Sequence, residues 1–176
     1  MSSSDPGSRQ RWVELAKDWG LALGITVVAF AAWSAFTAPT PPLAAGSAPP
    51  IHLESSDGRS FTLPDPEGRV TVLNFWATWC GPCVAEIPEL SEYADAHPEV
   101  RLVGVSVDQG LTEARVLAAA KRYGATYPIF LDKRGAASAY GAAVLPTTVV
   151  IDGEGQIRAT HVGGLDAAAL ERLVSR

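Results

Sequence analysis

A nearly continuous apolar run, Val70-Thr71-Val72-Leu73-Asn74-Phe75-Trp76, leads directly into Trp79-Cys80-Gly81-Pro82-Cys83. A run of this kind reads as a strand covered on both faces. The following Val84-Ala85-Glu86-Ile87-Pro88-Glu89-Leu90 reads as a helix. Both cysteines of the chain lie in this junction, two residues apart. A Cys-X-X-Cys pair between strand and helix is a site for thiol–disulfide exchange. The loop such a pair closes is too short to stabilise the chain much, so its value is chemical.

The elements around this junction alternate. Ile51–Glu54 and Ser60–Leu63 are short alternating runs joined by the turn signal Ser56-Asp57-Gly58, which predicts a hairpin. The helix after the cysteines is expected from about Pro82 to His97, opened by Pro82 and kinked by Pro88. Val100–Val107 predicts a second buried strand, Thr112–Tyr123 a helix, and Pro128–Leu131 a short strand. Ala136–Tyr140 predicts a short helix, Leu145–Ile151 a strand, Ile157–Val162 its hairpin partner after Asp152-Gly153-Glu154-Gly155, and Asp166–Val174 a closing helix capped by Asp166. Strands alternating with helices, then a hairpin and a helix, indicate an α/β domain with a mixed sheet over residues 51–176.

The amino-terminal part is of another kind. No charged residue occurs from Trp19 to Leu53. A helix over 19–37 would span roughly 28 Å at about 1.5 Å per residue, close to a bilayer core. Trp19 and Trp33 sit near its ends, where indoles favour the interface. Arg9, Arg11 and Lys17 precede it, and no Lys or Arg follows until Arg59. The positive-inside rule therefore puts residues 1–18 in the cytoplasm and the main domain outside. The reading is an uncleaved signal anchor; a cleaved signal peptide, with Ala44-Ala45 or Ser47-Ala48 as processing sites, and a buried core helix are the alternatives. Residues 38–50, rich in proline, read as a semi-extended linker.

Charge narrows the partners. The net charge of −5 belongs wholly to the domain, because residues 1–50 balance. An acidic domain without a basic run argues against nucleic acid. Zinc needs about four ligands, and His52, His97 and His161 are scattered, so no metal site is expected. Haem attachment needs His after the second cysteine, where Val84 stands. No cofactor is expected.

Cys80, at a helix amino terminus, is the expected attacking thiol, since unpaired N–H groups and the helix dipole favour the thiolate there. Cys83, a turn further in, resolves the mixed disulfide. Glu86, three residues on, shares that helix face; as a partly buried carboxylate it could shuttle protons for the thiols, the alternative being a solvated glutamate. Trp79 is expected on the docking surface and Trp76 in the core.

Three motifs in order carry a resemblance. Phe75–Cys83 resembles the active-site segment of thioredoxin, Leu145-Pro146-Thr147-Thr148 its cis-proline loop, and Val162-Gly163-Gly164-Leu165 the glycine turn before its last helix. The chain resembles more closely the TlpA/ResA-like family of membrane-anchored exported thioredoxins, which includes those of cytochrome c maturation. The anchor, the pattern Cys80, Cys83, Glu86, Pro88, and the long interval from Cys83 to Pro146 carry that likeness. The resemblance implies a thioredoxin fold with a mixed central sheet, an amino-terminal hairpin and an extra helix–strand insertion. It implies a cis Pro146 that places the Leu145 backbone against substrate, a Gly163 that allows close approach of a partner, and a Gly81-Pro82 dipeptide of the reducing type. Thioredoxin has a buried aspartate where Asn74 stands; Asn74 cannot titrate, which points to Glu86 for that role.

The function implied is an exported, membrane-tethered thiol–disulfide oxidoreductase that reduces cysteine-containing exported proteins, such as apocytochrome c or copper-site proteins. A membrane electron donor of the DsbD/CcdA kind would re-reduce it. A disulfide-forming oxidase and a copper-binding chaperone using the cysteines and His161 are the competing readings. A peroxidase lacks a separate cysteine motif.

Overall fold

The computed structural model describes residues 19–20, 23–34 and 46–175. The expected cytoplasmic segment 1–18, residues 21–22 and 35–37 of the expected anchor, and residues 38–45 of the expected linker lie outside the described residues. The chain divides into two units after Pro39. In the first, residues 19–20 and 23–34 are helical, with exposed side chains. Among the described residues no helix is long and apolar enough to cross a membrane.

The second unit is built on one mixed sheet. Its elements are β1 (Gly46–Ser47), β2 (Ile51–Glu54), β3 (Ser60–Leu63), β4 (Thr71–Trp76), α1 (Gly81–Ala96), β5 (Arg101–Ser106), α2 (Glu113–Arg122), β6 (Ile129–Leu131), α3 (Ala136–Ala139), β7 (Thr147–Ile151), β8 (Gln156–Val162) and α4 (Ala167–Val174). The main sheet runs β1-β8-β7-β4-β5-β6, and β2-β3 form a separate hairpin. β4 pairs parallel with β5 and antiparallel with β7. All six residues of β4 are buried, as its nearly continuous apolar character requires of a strand covered on both faces.

Alternation along β4 sorts its side chains into two cores. Val72 and Trp76 pack with Ile87 and Leu90 of α1, Val116 of α2 and Leu170 of α4. Leu73 and Phe75 pack on the other side with Leu53, Phe61 and Leu63 of the hairpin and with Tyr140 beyond α3. Asn74 shares the face of Val72 and Trp76, so its polar side chain is directed under α1. Opposite it in β5 stands Gly104. A Cβ there would come within 2.5 Å of Ile129 Cδ1 and 3.3 Å of Trp76 Nε1, so the absence of a side chain lets Trp76 and Ile129 close over β5.

The expected linker needs one correction. Its end is part of the folded unit: β1 pairs antiparallel with β8, Gly46 opposite Ile157 and Ser47 opposite Gln156. Ala48 N–H donates to Gly155 O at 2.9 Å, and the Tyr140 hydroxyl donates to Pro49 O at 2.6 Å. Proline density argues against a central strand, but an edge strand needs only two residues with free N–H groups, and Gly46-Ser47 precede the prolines 49 and 50.

Candidate functional site

The site begins where β4 ends. The turn through Ala77, Thr78 and Trp79 is closed by Cys80 N–H donating to Ala77 O at 3.1 Å. Cys80 is then the N-cap of α1 in extended conformation, with proline in the first turn, where a missing N–H and a preset φ suit a helix start. Helix α1 runs unbroken through Pro88. Cys80 and Cys83 are disulfide-bonded, with Cα atoms 5.3 Å apart, and Cys83 N–H donates to Cys80 Sγ at 3.3 Å. The two sulfurs are not equivalent, because Cys80 is 6% exposed and Cys83 is 0% exposed. Only Cys80 can be reached by an attacking or attacked sulfur from outside. The N–H of Cys83 and the helix dipole favour negative charge on Cys80 when the bond opens.

Around Cys80 lies a cleft of ≈ 810 Å³, walled by Trp79, Pro82, Val107, Ala142, Val144 and Leu145. Trp79 is 71% exposed and Val144 is exposed, whereas Trp76 is fully buried. The Leu145–Pro146 bond is cis. Leu63–Pro64 is cis as well, and no sequence signal announces it. Gly163 N–H donates to Pro146 O at 2.8 Å, tying the end of β8 to the loop that walls the cleft. Gly163 has φ +105°, and a Cβ there would meet nothing within 4 Å. Glycine is required by this backbone conformation, and the space beside it is open. A Cβ on Gly81 would likewise meet no atom beyond its chain neighbours and its own helix backbone within 4 Å, so that side of the first turn of α1 is open.

Behind the cysteines, α1 carries Glu86 inward, 4% exposed. Asn74 Nδ2 donates to Glu86 Oε1 at 2.8 Å and to Thr148 Oγ1 at 3.1 Å. Leu165 N–H donates to Glu86 Oε2 at 3.0 Å. Burial pushes the Glu86 carboxyl above its ordinary 4.5, against the two hydrogen bonds from Asn74 and Leu165, which pull it down. Asn74 Oδ1 has no partner. Turned about its terminal torsion, the same amide would offer this oxygen to a protonated Glu86, so Asn74 can serve both states of the carboxyl. Burial, and secondarily the Glu86 charge, push the Tyr127 hydroxyl up.

A buried acid with a raised value binds its proton more tightly folded than unfolded. Its effect on stability is therefore most favourable below 4.5 and is lost as pH rises through the folded-state value. In urea titrations from pH 4 to pH 9, the stability of the wild type minus that of Glu86→Gln is expected to fall with pH. A flat difference would show that the carboxyl ionises as in the unfolded chain.

One residue of the site has no motif in the sequence. Asp108 is buried and accepts from Thr78 N–H at 2.9 Å, from Thr78 Oγ1 at 2.7 Å and from Ser106 Oγ at 2.7 Å. It holds the turn that carries Trp79 and Cys80. Trp76 and Ser106 are paired at the ends of parallel strands, so the loops after β4 and β5 emerge side by side. An acid just past an apolar strand is the only signal in the sequence, and the pairing gives it meaning. His161 lies half-buried on β8 opposite Thr148. Among the described residues no group of three or more His, Cys, Asp or Glu comes together as a metal site.

Comparison with known proteins agrees with this geometry. The model of the AhpC/TSA family matches residues 45–160. The thioredoxin-like protein YneN of Bacillus subtilis is 36% identical over 129 residues, 71% of this chain and 75% of its own. The thiol-disulfide oxidoreductase ResA of Geobacillus thermodenitrificans is 34% identical over 143 residues, 81% of this chain and 80% of its own. The crystal structure of StoA from Bacillus subtilis superposes with a TM-score of 0.63 at 29% identity, over 72% of this chain and 96% of that one.

Proposed function

We propose a function on the footing that the chain belongs to the AhpC/TSA family and is a thiol–disulfide oxidoreductase of thioredoxin-like α/β fold. In this reading it works as a reductant of exported proteins, tethered to the outer face of the cytoplasmic membrane. The observation that carries it is the pairing of one reachable sulfur, Cys80, with one enclosed sulfur, Cys83, beside an open cleft walled by Leu145.

The exchange balances in two steps. The Cys80 thiolate attacks one sulfur of the target disulfide, forming a mixed disulfide and expelling one target thiolate. Cys83 then loses its proton, attacks Cys80 Sγ and expels the second target thiolate. Two electrons pass to the target, and Cys80–Cys83 is left oxidised. Glu86, a turn behind Cys83, is the group we assign to accept the Cys83 proton. The cleft takes the target's backbone along Leu145, with Trp79 and Val144 as apolar walls. Gly81, Pro82 and Gly163 leave that approach clear.

The apolar stretch 19–37 is the proposed tether, supported by its lack of charge and by the basic residues before it. Apocytochrome c and copper-site cysteines are the proposed targets, and an external dithiol donor of the DsbD/CcdA kind returns the electrons. Equilibration of the full-length chain with glutathione buffers tests the direction. The expected potential is reducing, about −200 mV or lower, on the thioredoxin side of the known range; a value near the roughly −120 mV of a strong disulfide oxidant would overturn the reductant assignment.

A further inference from the structure

Trp79 walls two clefts. One side faces Cys80; the other faces a second notch of ≈ 450 Å³ bordered by Thr78, Leu111, Arg115, Ala118, Arg122 and Tyr123. Arg115, Ala118/Ala119 and Arg122 recur at the spacing of one helical stripe. The two arginines stand about 10 Å apart along α2, at roughly 1.5 Å per residue. Between them only alanine methyls rise from the helix, so the notch has two cationic posts and a low apolar floor.

The notch gathers two arginines without acids, whereas most arginines of the described domain are paired. Arg59, Arg69, Arg101, Arg134 and Arg158 each reach a carboxylate. Arg115 and Arg122, like Arg172 of α4, are exposed and reach none among the described residues, and these two stand on one notch. None of the side chains bordering the notch is acidic, in a chain whose net charge is −5. Glu113, at the start of the same helix, is buried on another face and held by Ser55 and Lys133. Asp108, nearby in sequence, is occupied by Thr78 and Ser106. Arg122 lies against the Tyr123 ring, 5.4 Å from its centroid, which steadies the guanidinium without neutralising it.

We infer that the notch between Arg115 and Arg122 docks an acidic segment of the polypeptide whose disulfide meets Cys80. The inference rests on the exchange function proposed above and adds the chemistry of the substrate. An extended peptide advances about 3.3 Å per residue. The two arginines, about 10 Å apart, therefore span roughly three residues of an extended target that crosses Trp79. The apolar cleft on the other side of Trp79 receives the uncharged side of the same segment.

The test uses the reduced full-length chain and three peptides, each with one intramolecular disulfide and flanked by Glu-Glu, Ser-Ser or Lys-Lys. The flank is placed on either side of the disulfide in turn, and second-order rates are followed by stopped-flow fluorescence. On one of the two sides the Glu peptide is expected to react about five- to tenfold faster than the Ser peptide at low salt, and the Lys peptide slower than both. The spread should collapse near 1 M salt, where screening acts over about 3 Å. In the double variant Arg115→Glu/Arg122→Glu the order of Glu and Lys peptides is expected to invert. Three rates within twofold, with exchange proceeding, overturn the docking site and leave the exchange function standing. Absence of exchange with every peptide overturns both. If the double variant changes self-association and leaves the wild-type order of peptides intact, the face belongs to a second copy and the assignment falls.

Discussion

Replacing Cys83 by alanine is expected to convert the protein from a turnover catalyst into a covalent trap. Cys80 keeps its position at the start of α1 and remains the sulfur that solvent reaches. Its attack on a target disulfide still forms the mixed disulfide. The second thiol, whose Cα lies 5.3 Å away in the native pair, is then missing, and nothing else in the chain can resolve the adduct, since these are its two cysteines. Turnover is expected to fall by about a thousandfold or more while stoichiometric adduct accumulates. Cys80→Ala should form no adduct, because Cys83 is enclosed. Acid quenching, alkylation and intact-mass measurement read both results, and in cells the trapped species names the target. An adduct on Cys80→Ala equal to that on Cys83→Ala would reverse the roles of the two sulfurs.

The two tryptophans beside the site are expected to separate stability from exchange. Trp76→Ala should cost about 3–5 kcal/mol, the range for emptying a large buried aromatic site. Its ring is fully buried among β4, β5 and α1, and its Nε1 has no hydrogen-bond partner, so the loss is one of packing alone. Trp79→Ala should lie within about 0.5 kcal/mol of wild type, because the ring is 71% exposed. Trp79→Ala should instead raise the substrate concentration needed for half-maximal exchange with a polypeptide disulfide, since the indole walls both clefts. Urea midpoints and exchange kinetics measure the two effects. A large stability loss for Trp79→Ala would place its ring in the core rather than at the docking face.

The assignment of Trp76 to the core and Trp79 to the surface is available from periodicity. β4 is buried on both faces, and Trp79 falls past its end, in the turn. The same logic locates α1 within a residue at each end, and the hairpin, α2, β7 and α4 close to their observed limits, because turn chemistry and apolar spacing act over a few residues. The cis state of Pro146 is legible only through resemblance, since an isolated proline says little about its isomer. Composition misplaces the end of the linker at Gly46-Ser47, where local residues are indifferent and pairing with β8, distant in sequence, sets the structure.

Glu86 shows the same division within the site. Its place three residues after Cys83 marks a helix face, and a raised carboxyl is one of two readings open to it. The choice comes from contacts with Asn74 and with Leu165, the second 79 residues away. Asp108 is the plainer case: an acid without a motif becomes the anchor of the catalytic turn because parallel pairing sets the ends of β4 and β5 together. The chemistry, a dithiol at the start of a helix after a buried strand, is thus written in the residues themselves, as is the order of elements around it. Which sulfur faces out, where the Glu86 carboxyl is buried and which arginines stand without acids are settled by packing alone. Local propensity and burial pattern run along the chain, whereas exposure, desolvation and pairing depend on segments that meet only when the sheet closes.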